Sequence, residues 1–129
     1  MKVTHPYDFN EDDEQSAELF FKLGIPKNLA KTLIFISRVG ECQSMDIEHG
    51  AQLRQPEVSM ATQELQTRGW IVKRDIKGEG KGRPSQVFKK ALDISTILKN
   101  LEQEKLKEFE ESKMYITKLE NLLNKSGRN

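Results

Sequence analysis

The chain lacks several features that would assign it to a common protein class. A single cysteine, Cys42, excludes an internal disulfide and fits a reducing compartment. No run of about 18 apolar residues occurs, so the sequence predicts no membrane span. Residues 1–15 lack the apolar stretch of a signal peptide, and we therefore expect a cytoplasmic protein. The 129 residues are enough for one domain with its own core.

Groups for catalysis or metal binding are also scarce. His5 and His49 are far apart in sequence, and the spacing of Cys42, Asp46 and His49 matches no common metal site. No nucleophile–base pair and no clustered acid pair emerges, so we expect neither an enzyme nor a cofactor. A redox sensor at Cys42 would require a lowered thiol pKa, whereas a small buried cysteine is the simpler interpretation.

Charge is balanced over the chain but concentrated in one short segment. The net charge is +1 in total, −5 over residues 1–18, +1 over 19–72, +5 over 73–90 and zero over 91–129. A basic patch of this kind is the electrostatic footprint expected for a polyanion partner. The alternative is a solvated hairpin whose lysines protect a sheet edge from aggregation.

Hydrophobic spacing predicts three helices in the first half of the chain, after an irregular arm over residues 1–10. The first covers Asp12 to Leu23, and the second, about Lys27 to Val39, carries the widest apolar stripe and is expected to be the most buried. Residues 41–43 are predicted as a short strand or a loop. Ser44 is the candidate N-cap of a short third helix.

The segment after residue 52 predicts a helix followed by a basic β-hairpin. Pro56 begins the helix, whose inward positions are Val58, Ala61, Thr62 and Leu65, and Gly69 ends it. Strands are predicted over 70–76 and 85–91, around a turn rich in glycine and lysine. The predicted fold class is mainly α with a small β-hairpin, a winged helix-turn-helix over residues 11–91.

A long helix is predicted over residues 92–125, before a tail at 126–129. Its thin apolar stripe needs a partner, and a second copy of the chain is the simplest one, as a parallel or antiparallel coiled coil. The alternative is that only its first half packs on its own domain. The predicted dimer-interface residues are Ile94, Leu98, Leu101, Phe109, Ile116, Leu119 and Leu123.

Double-stranded DNA is the partner that this order of elements favours. The second helix of a helix-turn-helix enters the major groove, and a basic hairpin can contact phosphates or a narrow minor groove. Glu57 either accepts a hydrogen bond from a cytosine or, as we favour, caps its own helix. The candidate DNA-binding residues are Ser44, Arg54, Gln55, Ser59, Met60 and Gln63, with Arg74, Lys77, Lys81 and Arg83 in the hairpin.

Two stretches carry a family resemblance, which covers about residues 20–91. The sequence LRQPEVSMATQELQTRGWIVKRD, followed by GKGRP, resembles winged-helix regulators of the MarR and TrmB type, especially archaeal ones. The LQTRGW motif matches their helix end, and LGIPKNLAKTLIFISRVGE resembles their first domain helix. The resemblance implies a recognition helix over 56–68 and a wing tip over 77–84.

The resulting hypothesis is a homodimeric, sequence-specific DNA-binding transcriptional regulator. The alternative is a winged-helix protein-interaction module in a larger assembly, which the acidic outer positions Glu57 and Glu64 and the near-neutral total charge favour. A version of the regulator gated by an effector or by oxidation is a third possibility.

Overall fold

A computed structural model describes residues 9–76 and 85–125. The predicted wing tip, the tail and most of the N-terminal arm lie outside these residues. The chain divides into two units, one ending at Asp93 and one beginning at Ile94. Five helices and three strands follow one another in the described part: α1 (Glu11–Lys22), α2 (Lys27–Val39), β1 (Cys42–Gln43), α3 (Ser44–Ala51), α4 (Gln55–Thr67), β2 (Ile71–Ile76), β3 (Ser85–Lys90) and α5 (Ile94–Lys125).

A reciprocal cap starts α1 one residue earlier than the sequence predicts. The Asp13 amide donates to Asn10 Oδ1 at 2.9 Å, and the Asn10 amide donates to Asp13 Oδ2 at 3.0 Å. The Asp13 side chain is buried, and its Oδ1 lies 3.5 Å from Arg38 Nη2 of α2. The cap therefore also links α1 to α2.

The second helix is the centre of the first unit, as its apolar stripe predicts. Its bounds are the predicted ones, and it contacts α1, α3, α4 and β3. Burial of a leucine or phenylalanine side chain contributes about 1.5–3 kcal/mol, so this stripe supplies a large part of the stability. Its buried residues are Leu29, Ala30, Thr32, Leu33, Ile34, Phe35 and Ile36.

Close contact between α3 and α2 depends on a glycine. Gly50 lies inside α3, and a Cβ atom there would overlap Cε1 of Phe35 and lie 2.7 Å from its Cδ1 and Cζ atoms. Phe35 is fully buried and cannot move aside without disturbing the core. A glycine in a helix costs about 0.5–1 kcal/mol relative to alanine, so its presence here is explained by the close approach.

The three strands form one antiparallel sheet in the order β1-β3-β2. Cys42 and Gln43 pair with β3, so this segment is a short strand rather than a loop. In the hairpin, Lys73 opposes Phe88 and Arg74 opposes Val87. Because successive side chains of a strand alternate, Lys73 and Arg74 point to opposite faces of the sheet.

The last helix, α5, has 32 residues and a length of about 48 Å at 1.5 Å per residue. The side chains of Ile97 and Leu101 are buried, and none from Glu102 to Lys125 is buried. No helix in the described ranges is long and apolar enough to cross a membrane.

We expect Gly50→Ala to lower the free energy of unfolding by about 1–3 kcal/mol, because overpacking against Phe35 outweighs the gain in helix propensity. Urea unfolding measures the change. In a Phe35→Leu background, Gly50→Ala should cost less than in wild type, with a coupling energy of at least about 0.5 kcal/mol. A Gly50→Ala protein that is as stable as wild type would contradict the close contact.

Candidate nucleic-acid interface

The fourth helix has one buried face and one uncharged outward face. The four predicted inward residues, Val58, Ala61, Thr62 and Leu65, are all buried, which confirms the predicted orientation. Ser59, Met60 and Gln63 are exposed, and Met60 has 73% of its surface in solvent. The middle of the outward face therefore offers a hydroxyl, a thioether and an amide, while Glu57 and Glu64 lie along one of its edges.

The start of α4 is capped by Glu57, which confirms the interpretation we favoured for this residue. The Arg54 amide donates to Glu57 Oε1 at 2.8 Å, and the Arg54 guanidinium donates to Oε2 at 3.3 Å. These two hydrogen bonds hold the pKa of Glu57 below its usual value, and the bond from the Arg54 backbone amide has the larger effect. Gln55 is the first residue of α4 and is exposed.

A second pair of charges occupies the same edge of α4. The Arg68 Nε donates to Glu64 Oε2 at 3.1 Å, and the guanidinium lies 5.1 Å from the centre of the Trp70 ring. Glu57 and Glu64 are seven residues apart and so share one side of the helix. Both arginines that flank α4 are therefore held by carboxylates of the same helix.

The third helix begins differently from the prediction. Ser44 is the first residue of α3, and the N-cap is Gln43 rather than Ser44. The shift arises because the Asp46 carboxylate accepts from the Gln43 amide at 2.8 Å, which fixes the cap one residue earlier. Ser44 is half-buried at this end of the helix.

Arg74, predicted to flank the wing, is engaged in a long-range ion pair. Its Nη2 lies 2.9 Å from both carboxylate oxygens of Glu41, which precedes β1. The hydrogen bond from Arg74 lowers the pKa of the Glu41 carboxyl. The other predicted wing cations, Lys77, Lys81 and Arg83, lie outside the described residues.

A polar groove separates α4 from the sheet. Its volume is about 350 Å³, and seven of its eight lining residues are polar. Lys73 is its single charged residue, on the sheet face opposite to that of Arg74. Lys73 is not among the residues predicted from the sequence to bind DNA, although strict alternation along β2 separates it from Arg74. The lining residues are Ser59, Thr62, Gln63, Gln66, Thr67, Lys73, Gln86 and Phe88.

Cys42 is a buried cysteine without the properties of a redox sensor. Burial, followed by the nearby Asp46 carboxylate, raises the pKa of its thiol to about 12. The redox interpretation, which requires a lowered thiol pKa, is therefore wrong, because β1 places the sulfur in the core. Within the described ranges, no three His, Cys, Asp or Glu side chains are grouped to hold a metal ion.

The exposed apolar residues of α5 follow one another along most of its length. Five predicted dimer-interface residues, Leu98, Phe109, Ile116, Leu119 and Leu123, are each between 46% and 58% exposed. Ile94 is half-buried, whereas Leu101 is buried within the chain. Tyr115 and Leu122 widen the stripe near the end of the helix.

We expect Cys42 to react with Ellman's reagent at pH 8 at least about 100-fold more slowly in the native protein than in urea, because little thiolate is present. The raised pKa also means that the Cys42 thiol contributes to the free energy of unfolding below the unfolded-state pKa of about 8.5. This contribution is lost as the pH rises through the pKa of the folded state. Equal reaction rates in the two conditions would show that the thiol is accessible and ionisable.

Similarity to known proteins is found at the level of structure. No protein-family model matches the sequence. No curated protein matches it either. A MarR-family transcriptional regulator from Silicibacter pomeroyi has a TM-score of 0.51 and 15% identity, covering 86% of this chain and 79% of that one. NadR in complex with 4-hydroxyphenylacetate has a TM-score of 0.52 and 14% identity, covering 97% of this chain and 96% of that one.

Together with the element order, these similarities define the fold. The chain has a winged helix-turn-helix fold like that of MarR-family regulators, with a small three-strand antiparallel sheet and a long C-terminal helix. The predicted fold class is confirmed.

Proposed function

We propose that the chain is a double-stranded DNA-binding transcriptional regulator that reads sequence through α4 and acts as a homodimer without enzymatic activity. The observation that carries the proposal is the uncharged, hydrogen-bonding outward face of α4. The solved structures with the same fold include one named as a transcriptional regulator, which supports the same role. The archaeal, TrmB-like and cytoplasmic expectations stay predictions from the sequence.

Base reading would fall to the outward side chains near the start of α4. In a helix-turn-helix the second helix lies in the major groove, with its N-terminal residues at the base edges. Gln55 and Gln63 can each pair with adenine through two hydrogen bonds, and Met60 can contact a thymine methyl group. Arg54, tied to Glu57, would reach guanine only by leaving that pair.

Phosphate affinity would come mainly from outside α4. Of the predicted hairpin cations, Arg74 is paired with Glu41. Residues 77–84, the proposed wing, carry Lys77, Lys81 and Arg83, which we assign to the backbone or a minor groove. Lysines and arginines at such positions neutralise phosphates without reading bases.

Homodimer formation would cover the apolar stripe of α5. A helix on which the five predicted seam residues and further large apolar side chains are about half exposed is expected to pack against a partner in water. Two copies would present two α4 helices to half-sites about one helical turn apart. We assign the seam to the five exposed residues, together with the half-buried Ile94 at the first turn, and leave out Leu101, which is already buried within one chain.

A protein-interaction module is the second candidate function. The acidic edge formed by Glu57 and Glu64 favours it, because carboxylates beside a recognition helix repel phosphates. The paired arginines Arg54 and Arg68 reduce that repulsion. A salt-insensitive complex with another protein, in the absence of duplex binding, would favour this candidate over the regulator.

We expect Gln63→Ala or Gln55→Ala to change which duplexes are preferred, because each removes a bidentate base contact worth about 1–3 kcal/mol. Selection of bound sequences from a random duplex library, for wild type and each variant, measures the preference. Because neither substitution changes the charge of the protein, the affinity of each variant for a scrambled duplex should be nearly that of wild type. Identical selected sequences for all three proteins would remove α4 from base reading.

We expect the double variant Lys81→Ala, Arg83→Ala to weaken binding to selected and scrambled duplexes by a similar factor, because it removes phosphate contacts only. Fluorescence anisotropy with both duplexes gives the two factors. Equal affinity of the variant and wild type would exclude the wing assignment while leaving the assignment of α4 in place.

We expect Ile116→Asp to convert a homodimer of about twice 14.9 kDa into monomers, because a carboxylate cannot be buried unpaired in the seam. Thr117→Asp is the matched control, since the next residue lies about 100° around the helix. Sedimentation velocity distinguishes the two masses. A monomeric wild type, or equal dissociation by both substitutions, would contradict the proposed seam.

A further inference from the structure

The two long edges of α4 differ in charge. One edge carries Glu57 and Glu64, whose carboxylates hold Arg54 and Arg68. The other edge faces the sheet across the polar groove, where Ser59, Gln63 and Gln66 lie opposite Lys73 and Gln86. The helix is thus acidic and self-neutralised on one side and bordered by a cation on the other.

This asymmetry matters for a helix placed in the major groove. The groove is about 12 Å wide, and a helix with its side chains is about 10–12 Å across, so each edge lies beside one phosphate backbone. The strand beside Glu57 and Glu64 would meet carboxylates. The strand on the sheet side would meet Lys73 and a set of neutral donors.

Several donors of the groove are available to a ligand. Gln66 Nε2 donates to the Thr62 carbonyl oxygen, and Thr67 Oγ1 donates to that of Gln63, so these two donors are engaged. Within residues 9–76 and 85–125, the side chains of Gln63, Lys73 and Gln86 have no hydrogen bond or ion pair.

The pairing of the neighbouring arginine leaves Lys73 as the cation of this site. Arg74 projects from the other sheet face and is bound by both oxygens of Glu41. Lys89 also lies on that other face, because it opposes Val72. No acidic side chain lines the groove, although Asp75, which opposes Gln86, lies on the same sheet face two residues from Lys73.

We propose that the groove between α4 and the sheet is a phosphate-binding site for the DNA strand on the sheet side, with Lys73 as its cation and the amide of Gln86 as a donor. The inference rests on the proposed function and adds to it the position of one DNA strand. A small apolar effector is a poor fit, because such sites are lined mainly by hydrophobic side chains, whereas Phe88 is the single apolar residue here.

The test compares Lys73→Gln with Lys89→Gln, which removes the same charge from the opposite face of the same sheet. Lys73→Arg keeps the charge, and circular dichroism checks that each variant is folded. A mixed-sequence duplex of about 24 base pairs is long enough for two half-sites. Its binding is measured by fluorescence anisotropy from low to high salt. We expect Lys73→Gln to make the slope of log K against log salt shallower by about 1.8, because a homodimer on two half-sites loses two phosphate contacts worth about 0.9 each. At low salt its affinity should also fall, and by more than that of Lys89→Gln.

The controls separate this site from the general charge of the sheet. Lys73→Arg should keep the wild-type slope, and Lys89→Gln should change it by clearly less than Lys73→Gln. Equal slopes and affinities for Lys73→Gln and Lys89→Gln would overturn the phosphate site. In that case, salt-dependent duplex binding by wild type would still support the proposed function. Absence of duplex binding by wild type would overturn both.

Discussion

The position of α4 depends on its contacts with α2 and on the close approach of Gly50 of α3 to Phe35 of α2. Because α2 contacts α1, α3, α4 and β3, it is the support on which the other elements of the first unit are placed. A side chain at position 50 would overlap the buried ring and push α3 outward. The turn that joins α3 to α4 would then shift, and with it the outward face of α4.

The charges around α4 are arranged so that most of its cations are paired with carboxylates. Arg54 and Arg68 are bound by carboxylates of the same helix, and Arg74 is bound by Glu41. Exposed pairs of this kind contribute only about 0–1 kcal/mol to stability. Their larger consequence is electrostatic: in the proposed complex with DNA, pairing reduces the attraction of these cations for phosphates of any sequence and leaves base contacts a greater share of the binding energy.

Local patterns predicted most of the fold and part of the candidate site. Hydrophobic periodicity placed α2 at its observed bounds, and Gly40 and Gly69, both at positive φ, end helices where glycine is favoured. The Arg74–Glu41 pair could not be predicted, because the two residues are 33 positions apart and meet only through the strand register. The Lys73 groove depends on the same register, and the buried state of Cys42 depends on the core around β1.

The most direct test is the affinity of the wild-type chain for a mixed pool of duplex DNA across a salt series. The account predicts binding at low salt that weakens steeply, with log K falling linearly as log salt rises and a slope of several units, because several phosphates are neutralised. No binding at low salt, or binding that does not change with salt, would contradict a DNA-binding role and favour a protein partner.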